Sequence, residues 1–477
     1  MARNKLFLRS VFISIGLSIV AAGAGIVHAQ PLPGISSSSV APASLVSSDV
    51  STAALVEVSS ALPHYIWSLD DVIRIALNSN PDLQSAQDNL EAAKRVLEES
   101  YSDYLPTIDG SVYKGQTTLP YPSAGSTPLL GLDRSYSVGT ASMRQTLFDF
   151  GKGLADIRAK RAESRSSEED LLALRNVIQL NAEKAFYDVA ADEKLVEVAN
   201  KSLAQFQETY RRAKLMVQTG TRPEFDLSQA LVELSKAELA VINAKNSRDL
   251  AKIVLLNIMG WQKVEPFALK EIVEQTQPMR AETLSMDLLT EKAMEFRPEM
   301  RRANLSIEAS LNRLKEQRRT YLPVIAASGW YGRFLPDYPD SIRGAWGYGV
   351  GASWNLFDGM ATTFRVKELE ARLDQEEALV KRQSLNIVAE VASAYMNLLR
   401  AEQNETVADA GLVYAKDNFH YAKLRYDADV GTILELLVAE TSLVTADAVQ
   451  VQARYRYATS LAALQTAVNA PLIEGRK

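Results

Sequence analysis

The chain has 477 residues, about three times the length of an ordinary single domain. Its 58 acidic residues outnumber 52 basic ones, so the basic footprint of a nucleic-acid binder is missing. There is no cysteine and there are three histidines (His28, His64 and His420), which removes disulfides, thiolate metal sites and thiol catalysis. No catalytic residue, cofactor or metal ligand is expected.

The first thirty residues read as an export signal. Arg3, Lys5 and Arg9 precede an apolar run from Val11 to Val27, and Val27-His28-Ala29 offers small residues for cleavage before Gln30. A retained membrane anchor is the alternative, weakened by Gly16, Gly23 and Gly25. No other stretch approaches the ~18 apolar residues of a spanning helix, so any further crossing of a membrane falls to strands. Residues 30–67, rich in Ser, Ala, Val and Pro with almost no charge, read as a flexible tether.

The remainder is one plan written twice. Asn80-Pro81-Asp82-Leu83 returns as Arg297-Pro298-Glu299-Met300, and Tyr104-Leu105-Pro106 as Tyr321-Leu322-Pro323, both 217 residues later. Leu147-Phe148-Asp149 returns as Leu356-Phe357-Asp358 after 209 residues, an offset kept by Ala213-Lys214-Leu215 with Ala422-Lys423-Leu424 and by Asp226-Leu227 with Glu435-Leu436. The first repeat is assigned to 68–270 and the second to 287–470, with a linker at 271–286 and a tail at 471–477.

Each repeat reads as helix, strand, loop, strand, very long helix, tight turn, long helix. Residues 154–219 hold no Gly or Pro, and apolar residues recur at helical spacing, as in Leu171, Leu174, Ile178, Ala182, Ala185 and Val189. About 66 helical residues make a rod of ~100 Å, longer than a compact domain needs. The long helices are expected at about 152–219, 223–259, 361–429 and 432–470, with Ala-rich seams suited to coiled-coil packing. Gly220-Thr221-Arg222-Pro223 and Val430-Gly431-Thr432 supply the turns.

Strands are expected at about 106–117, 135–147, 323–334 and 344–357. Trp346, Tyr348, Val350, Ala352, Trp354 and Leu356 alternate with Gly347, Gly349, Gly351, Ser353 and Asn355, the two-sided pattern of a membrane-barrel strand. A soluble β-sandwich would alternate similarly. Pro106 and Pro323 stop a helix and launch a strand, and Tyr104 and Tyr321 are expected at the membrane interface. Asp149 and Asp358 are expected to cap the rods, with Gly151 and Gly359 allowing a sharp bend. The segments 115–134 and 335–344 are expected to be the far-side loops. Four strands cannot close a barrel, and open edges are not tolerated in lipid, so several chains must contribute. Two chains give eight strands and a filled lumen; three give twelve and room for a passage.

In this order of parts the chain resembles the TolC family of outer-membrane efflux proteins. The resemblance spans about residues 68–470 and rests on the duplicated helix–hairpin–helix plan, the YLP and LFD motifs and the turn from Arg425-Tyr426 through Val430-Gly431-Thr432 to Leu437. It implies a mainly α fold with a membrane β-barrel: a homotrimer with a twelve-stranded barrel in the outer membrane and a helical tunnel in the periplasm. It also implies a periplasmic adaptor and an inner-membrane transporter as partners, with drugs, other small molecules or type I secreted polypeptides as cargo. The cysteine that follows the signal in lipoprotein members is missing here.

The resemblance further places a gate at the turns. Glu435 matches the first acid of the family's constriction ring, whereas the second acidic position is Val438. Asp226 is the corresponding acid of the first repeat, and Tyr426 matches a tyrosine that ties neighbouring helices. Both acids also suit the first turn of a helix without any gate. The family's arginine after the turn has no direct counterpart, leaving Arg425, Arg212 and Arg222 as substitutes expected to link to Asp226 or Glu435. Thr219, Gly220, Thr221, Val430, Gly431 and Thr432 are the expected adaptor contacts. The rival from another class is a secreted structural coiled-coil protein with a small β head. Gly347-x-Gly349-x-x-Ala352 resembles a dinucleotide fingerprint but lies inside a strand, and no GxxxxGK(S/T), HExxH or GxSxG motif occurs.

Overall fold

A computed structural model describes residues 65–119, 132–263, 265–270, 284–336 and 343–470, all within one unit spanning Ala61–Lys477. The expected signal sequence, the tether up to residue 64, the tips of both far-side loops, most of the linker and the tail lie outside the described residues.

The end of the expected tether is structured. β1 (Tyr65–Trp67) pairs in parallel with β4 (Phe267–Leu269), which closes the first repeat onto its own start. Trp67 drives this: its ring packs on Phe267 at 4.7 Å and edge-on against Trp261 at 5.6 Å. Three residues are too few for a periodic signal, so the pairing follows from burial of the tryptophan.

The single helix expected at the start of each repeat is two helices. α1 (Leu69–Ser79) and α2 (Pro81–Ser100) part at Asn80, which is extended because Pro81 follows it. Asn80 fixes the joint by accepting from the Asp82 amide at 2.8 Å and donating to the Ile258 carbonyl at 2.9 Å. In the second repeat α5 (Met286–Phe296) and α6 (Pro298–Arg319) part at Arg297, whose nearly buried guanidinium bonds Glu299 at 3.0 Å and Glu390 at 2.5 Å.

The strands are β2 (Thr107–Leu119), β3 (Leu132–Phe148), β5 (Val324–Pro336) and β6 (Arg343–Ser353), in one antiparallel sheet ordered β2-β3-β5-β6. They run further into the expected loops, while β6 stops short of the expected 357. Its partner ends: Val324 pairs with Ser353, and Pro323 before it has no amide to offer. Trp354 instead donates its indole N–H to the Tyr321 carbonyl at 2.9 Å.

Register decides which side chains share a face. Ile108 opposes Met143, which opposes Gly329, which opposes Tyr348; Gly110, Ala141, Tyr331 and Trp346 form the next row. Val112, Val350 and Ala352 fall on that same apolar face. The other face carries Thr107, Asp109, Ser111, Thr140, Ser142, Arg144, Ser328, Gly347 and Gly349, with one large aromatic among them, Trp330, whose ring lies against Gly347; towards the loops Arg333 falls on the apolar side. The apolar face is open: Tyr348 is 84% and Val112 86% exposed. β2 and β6 each keep one unpaired edge.

Below the sheet run α3 (Lys152–Gln218), α4 (Glu224–Ile258), α7 (Ala361–Asp427) and α8 (Ile433–Val468). The N-caps of α3 and α7 are Gly151 and Met360 and not the expected aspartates, which stand two residues earlier and reach down onto the first turn: Asp149 accepts from the Gly151 and Gly153 amides at 2.9 and 2.6 Å, and the Tyr104 hydroxyl donates to the same carboxylate. Asp358 accepts from the Thr362 amide at 2.8 Å. The bend takes two left-handed residues in each repeat, Phe150 with Gly151 and Gly359 with Met360. Near the sheet α2, α3, α6 and α7 lie side by side, in the order of the strands they feed or continue; lower down the order is α4, α3, α8, α7. Two related cores fill the middle, around Phe186, Leu255 and Met259 in one repeat and around Ile387, Leu398 and Leu464 in the other. Among the described residues no helix is long and apolar enough to cross a membrane.

Candidate functional site at the paired turns

The two turns solve the same reversal differently. In the first, Gly220 takes the left-handed conformation (φ 76°), and the Thr221 and Arg222 amides both reach back to the Met216 carbonyl. The Thr219 hydroxyl closes the corner on the Leu215 and Met216 carbonyls and on Thr221. In the second, Asp429 is the left-handed residue (φ 63°), and the Val430 and Gly431 amides bond the Arg425 carbonyl at 3.0 and 2.9 Å. Gly431 is buried so closely that a Cβ would stand 3.0 Å from the Arg425 and Tyr426 backbone. Thr432 caps α8 by accepting from the Glu435 amide at 3.2 Å. Thr219, Gly220, Thr221, Val430 and Thr432 are exposed.

Basic residues join one turn to the other. Arg222 pairs with Asp429 at 2.7 Å, donates to the Gly431 carbonyl at 2.9 Å, and lies over the Tyr426 ring at 5.1 Å. Arg212 bridges Asp427 of the second repeat and Glu208 of its own helix. Arg425 reaches Glu435 at 3.5 Å, with both side chains half in solvent. The expected links are therefore corrected. Only Arg425 meets one of the two acids named from sequence, while Arg212 and Arg222 use Asp427 and Asp429. The helix-end geometry explains this, because those aspartates sit where α7 ends, facing the α3–α4 corner.

Tyr426 is fully buried in a small core with Phe206, Ala237, Ile433, Leu436 and Leu437. Its hydroxyl has no hydrogen-bond partner; burial pushes the phenol pKa up, and the Asp226 carboxylate adds to that shift. Asp226 is itself 6% exposed, whereas Val438 is exposed beside Leu434 at the tip. The structure thus brings Asp226, Tyr426 and Arg222 together and leaves Glu435 with Arg425 outside.

Sequence reasoning missed Asp427, Asp429 and, above all, Glu440. Glu440 is completely buried on α8; Thr209 of α3 donates to one of its carboxylate oxygens at 3.1 Å, and the other has no partner. Desolvation is the main reason its pKa is raised to about 7, opposed by the Thr209 bond and the charge of Lys423. A signal was present: Glu440 interrupts the apolar row Ile433, Leu436, Leu437, Leu443 at a core position.

The chain is 23% identical to protein CyaE of Bordetella pertussis over 80% of its own length and 79% of that protein's. It is 21% identical to the alkaline protease secretion protein AprF of Pseudomonas aeruginosa, over 84% of each. The outer membrane protein VceC of Vibrio cholerae shares the fold, with a TM-score of 0.71 at 20% identity over 85% of this chain and 97% of that one. The model of the family described as outer membrane efflux protein matches residues 72–261 and 289–470, both repeats. The chain belongs to the outer membrane efflux protein family: it is a channel protein of the outer membrane, not an enzyme, and serves a tripartite export system.

Proposed function

We propose that three copies of this chain close one twelve-stranded barrel, that α3, α4, α7 and α8 continue it as a tunnel through the periplasm, and that the paired turns are its gate. One observation carries this reading: an antiparallel sheet with an exposed, mainly apolar face, a second face of mostly small and polar residues interrupted by Trp330, and two unpaired edges. In lipid those edges need partners, so β6 of one copy pairs with β2 of the next. The same rotation brings α4 of one copy to α7 of its neighbour, since these are the outer helices of the lower layer. Both carry exposed apolar residues for that contact, Leu239, Ile242 and Ile253 on α4 and Met396, Val407 and Leu424 on α7.

The duct is passive. Energy comes from an inner-membrane transporter, and a periplasmic adaptor docks on the exposed corners Thr219, Gly220, Thr221, Val430 and Thr432, flanked by the exposed apolar side chains Phe225 and Leu434. The name of AprF concerns protease secretion, so polypeptide cargo stands beside small molecules and drugs. Arg222–Asp429 and Arg212–Asp427 hold the closed state, with Asp226 and Tyr426 as the buried support beneath.

Planar-bilayer recording tests this reading. The detergent-purified protein is expected to conduct weakly, and Arg212→Ala combined with Arg222→Ala to raise its conductance several-fold. Asp226→Ala should follow in the same direction and Glu435→Ala should change ion selectivity. A water-soluble monomer that never conducts, with or without these substitutions, contradicts it.

A further inference from the structure

Glu440 lies beyond the turns, on the seam where α8 of the second repeat packs on α3 of the first. It forms the floor of a cleft of about 350 Å³. α3 contributes Lys201, Glu208, Thr209 and Arg212 to that cleft and α7 contributes Phe419 and Lys423, while Glu233 of α4 adds a repulsive charge. Arg212 is committed to Asp427 and Glu208, so the favourable charge acting on Glu440 is that of Lys423.

A carboxyl group with no exposure and one hydrogen-bonded oxygen is stable when neutral and costly when charged. The position matched to it in the first repeat is Leu231, which is exposed, so this device occurs once per chain. We propose that Glu440 is a positioning residue of the gate: protonated, it seals the α3–α8 seam against Thr209, and on ionising it draws water and Lys423 into the cleft and frees the turns to part. This rests on the channel reading above.

The direction follows from the raised acid pKa. The sealed seam is fully held below the ordinary carboxylate value and is lost as pH rises through about 7. A carboxyl that relaxes from about 7 to its ordinary 4.5 shifts the equilibrium about tenfold per subunit between about pH 6 and pH 8.

Two readouts on the full-length protein in detergent test the proposal. Amide hydrogen exchange over residues 203–213 is compared at each pH with Glu440→Gln, which cancels the intrinsic pH dependence of exchange. Open probability is followed in planar bilayers over the same range. Wild type should lose protection and gain about tenfold in open probability per subunit, while Glu440→Gln stays protected and flat. Thr209→Val, which removes the bond that lowers the acid's pKa, should move the midpoint to higher pH. A pH course shared by wild type and Glu440→Gln, or an unmoved midpoint in Thr209→Val, overturns the proposal. A normal exchange response with no conductance at any pH sinks the channel reading, and the gating role with it.

Discussion

The sheet and the turn end use side chains in opposite ways. In the sheet a residue matters by its face: Tyr348 and Gly349 are neighbours in β6, yet one belongs to the apolar side and the other to the polar side. At the turns a residue matters by its partner. Asp226 and Glu435 hold matching places in the two repeats, but Asp226 is buried beside Tyr426 while Glu435 keeps half its side chain in solvent. Periodicity builds the first region, and divergence between two copies builds the second. The duplicated plan supplies the frame, and residues that broke the symmetry, Tyr426, Asp429 and Glu440, are among those that tie one repeat to the other.

The largest expected effect sharpens this asymmetry. Tyr426→Ala removes a fully buried ring and its contact with Arg222, and should cost about 3–5 kcal/mol in denaturant unfolding. Val217→Ala, at the matching place in the first repeat, is half-buried and should cost less than about 1.5 kcal/mol. Equal losses would mean that the turns had not diverged in their packing. Next comes the sheet: Tyr348→Arg should cost about 2–4 kcal/mol in folding into liposomes, because it puts a charge on the lipid side. Gly349→Arg, where a Cβ meets nothing within 4 Å, should be nearly neutral. A reversed ranking would exchange the two faces.

Smaller effects are expected around Glu435. Thr432→Ala deletes the side-chain cap of α8 and should lower stability by about 1 kcal/mol, read as earlier loss of helical circular dichroism on heating. Glu435→Ala breaks only an exposed pair at 3.5 Å and should cost about 0.2–1 kcal/mol, an amount that added salt erases. A loss above that range would show that Glu435 is held more tightly than its exposure indicates.

The two regions also differ in how far the sequence revealed them. Rods free of Gly and Pro, prolines at 106 and 323 and strict alternation in β6 are local patterns, so the four long helices and the sheet faces were legible. The breaks at Asn80 and Arg297 could have been read from the prolines that follow them. The strand at Tyr65–Trp67 could not, because it depends on Phe267 some two hundred residues away. At the turns the resemblance named Tyr426 and Asp226, both of which are buried, but it could not pair Arg222 with Asp429, since that contact is set by how two separate corners pack. Glu440 broke an apolar row in plain view, and its meaning rests on Thr209 across the seam.

One measurement tests the shared pore most directly. The chain has no cysteine, so single cysteines can be placed at 346, 348, 349, 350 and 351 and exposed to a membrane-impermeant thiol reagent after reconstitution into liposomes; a Cβ at 349 or 351 meets nothing within 4 Å. The account predicts labelling at 349 and 351, which face an aqueous lumen, and protection at 346, 348 and 350, which face lipid. Uniform labelling of all five would place water on both sides of the ribbon and contradict it.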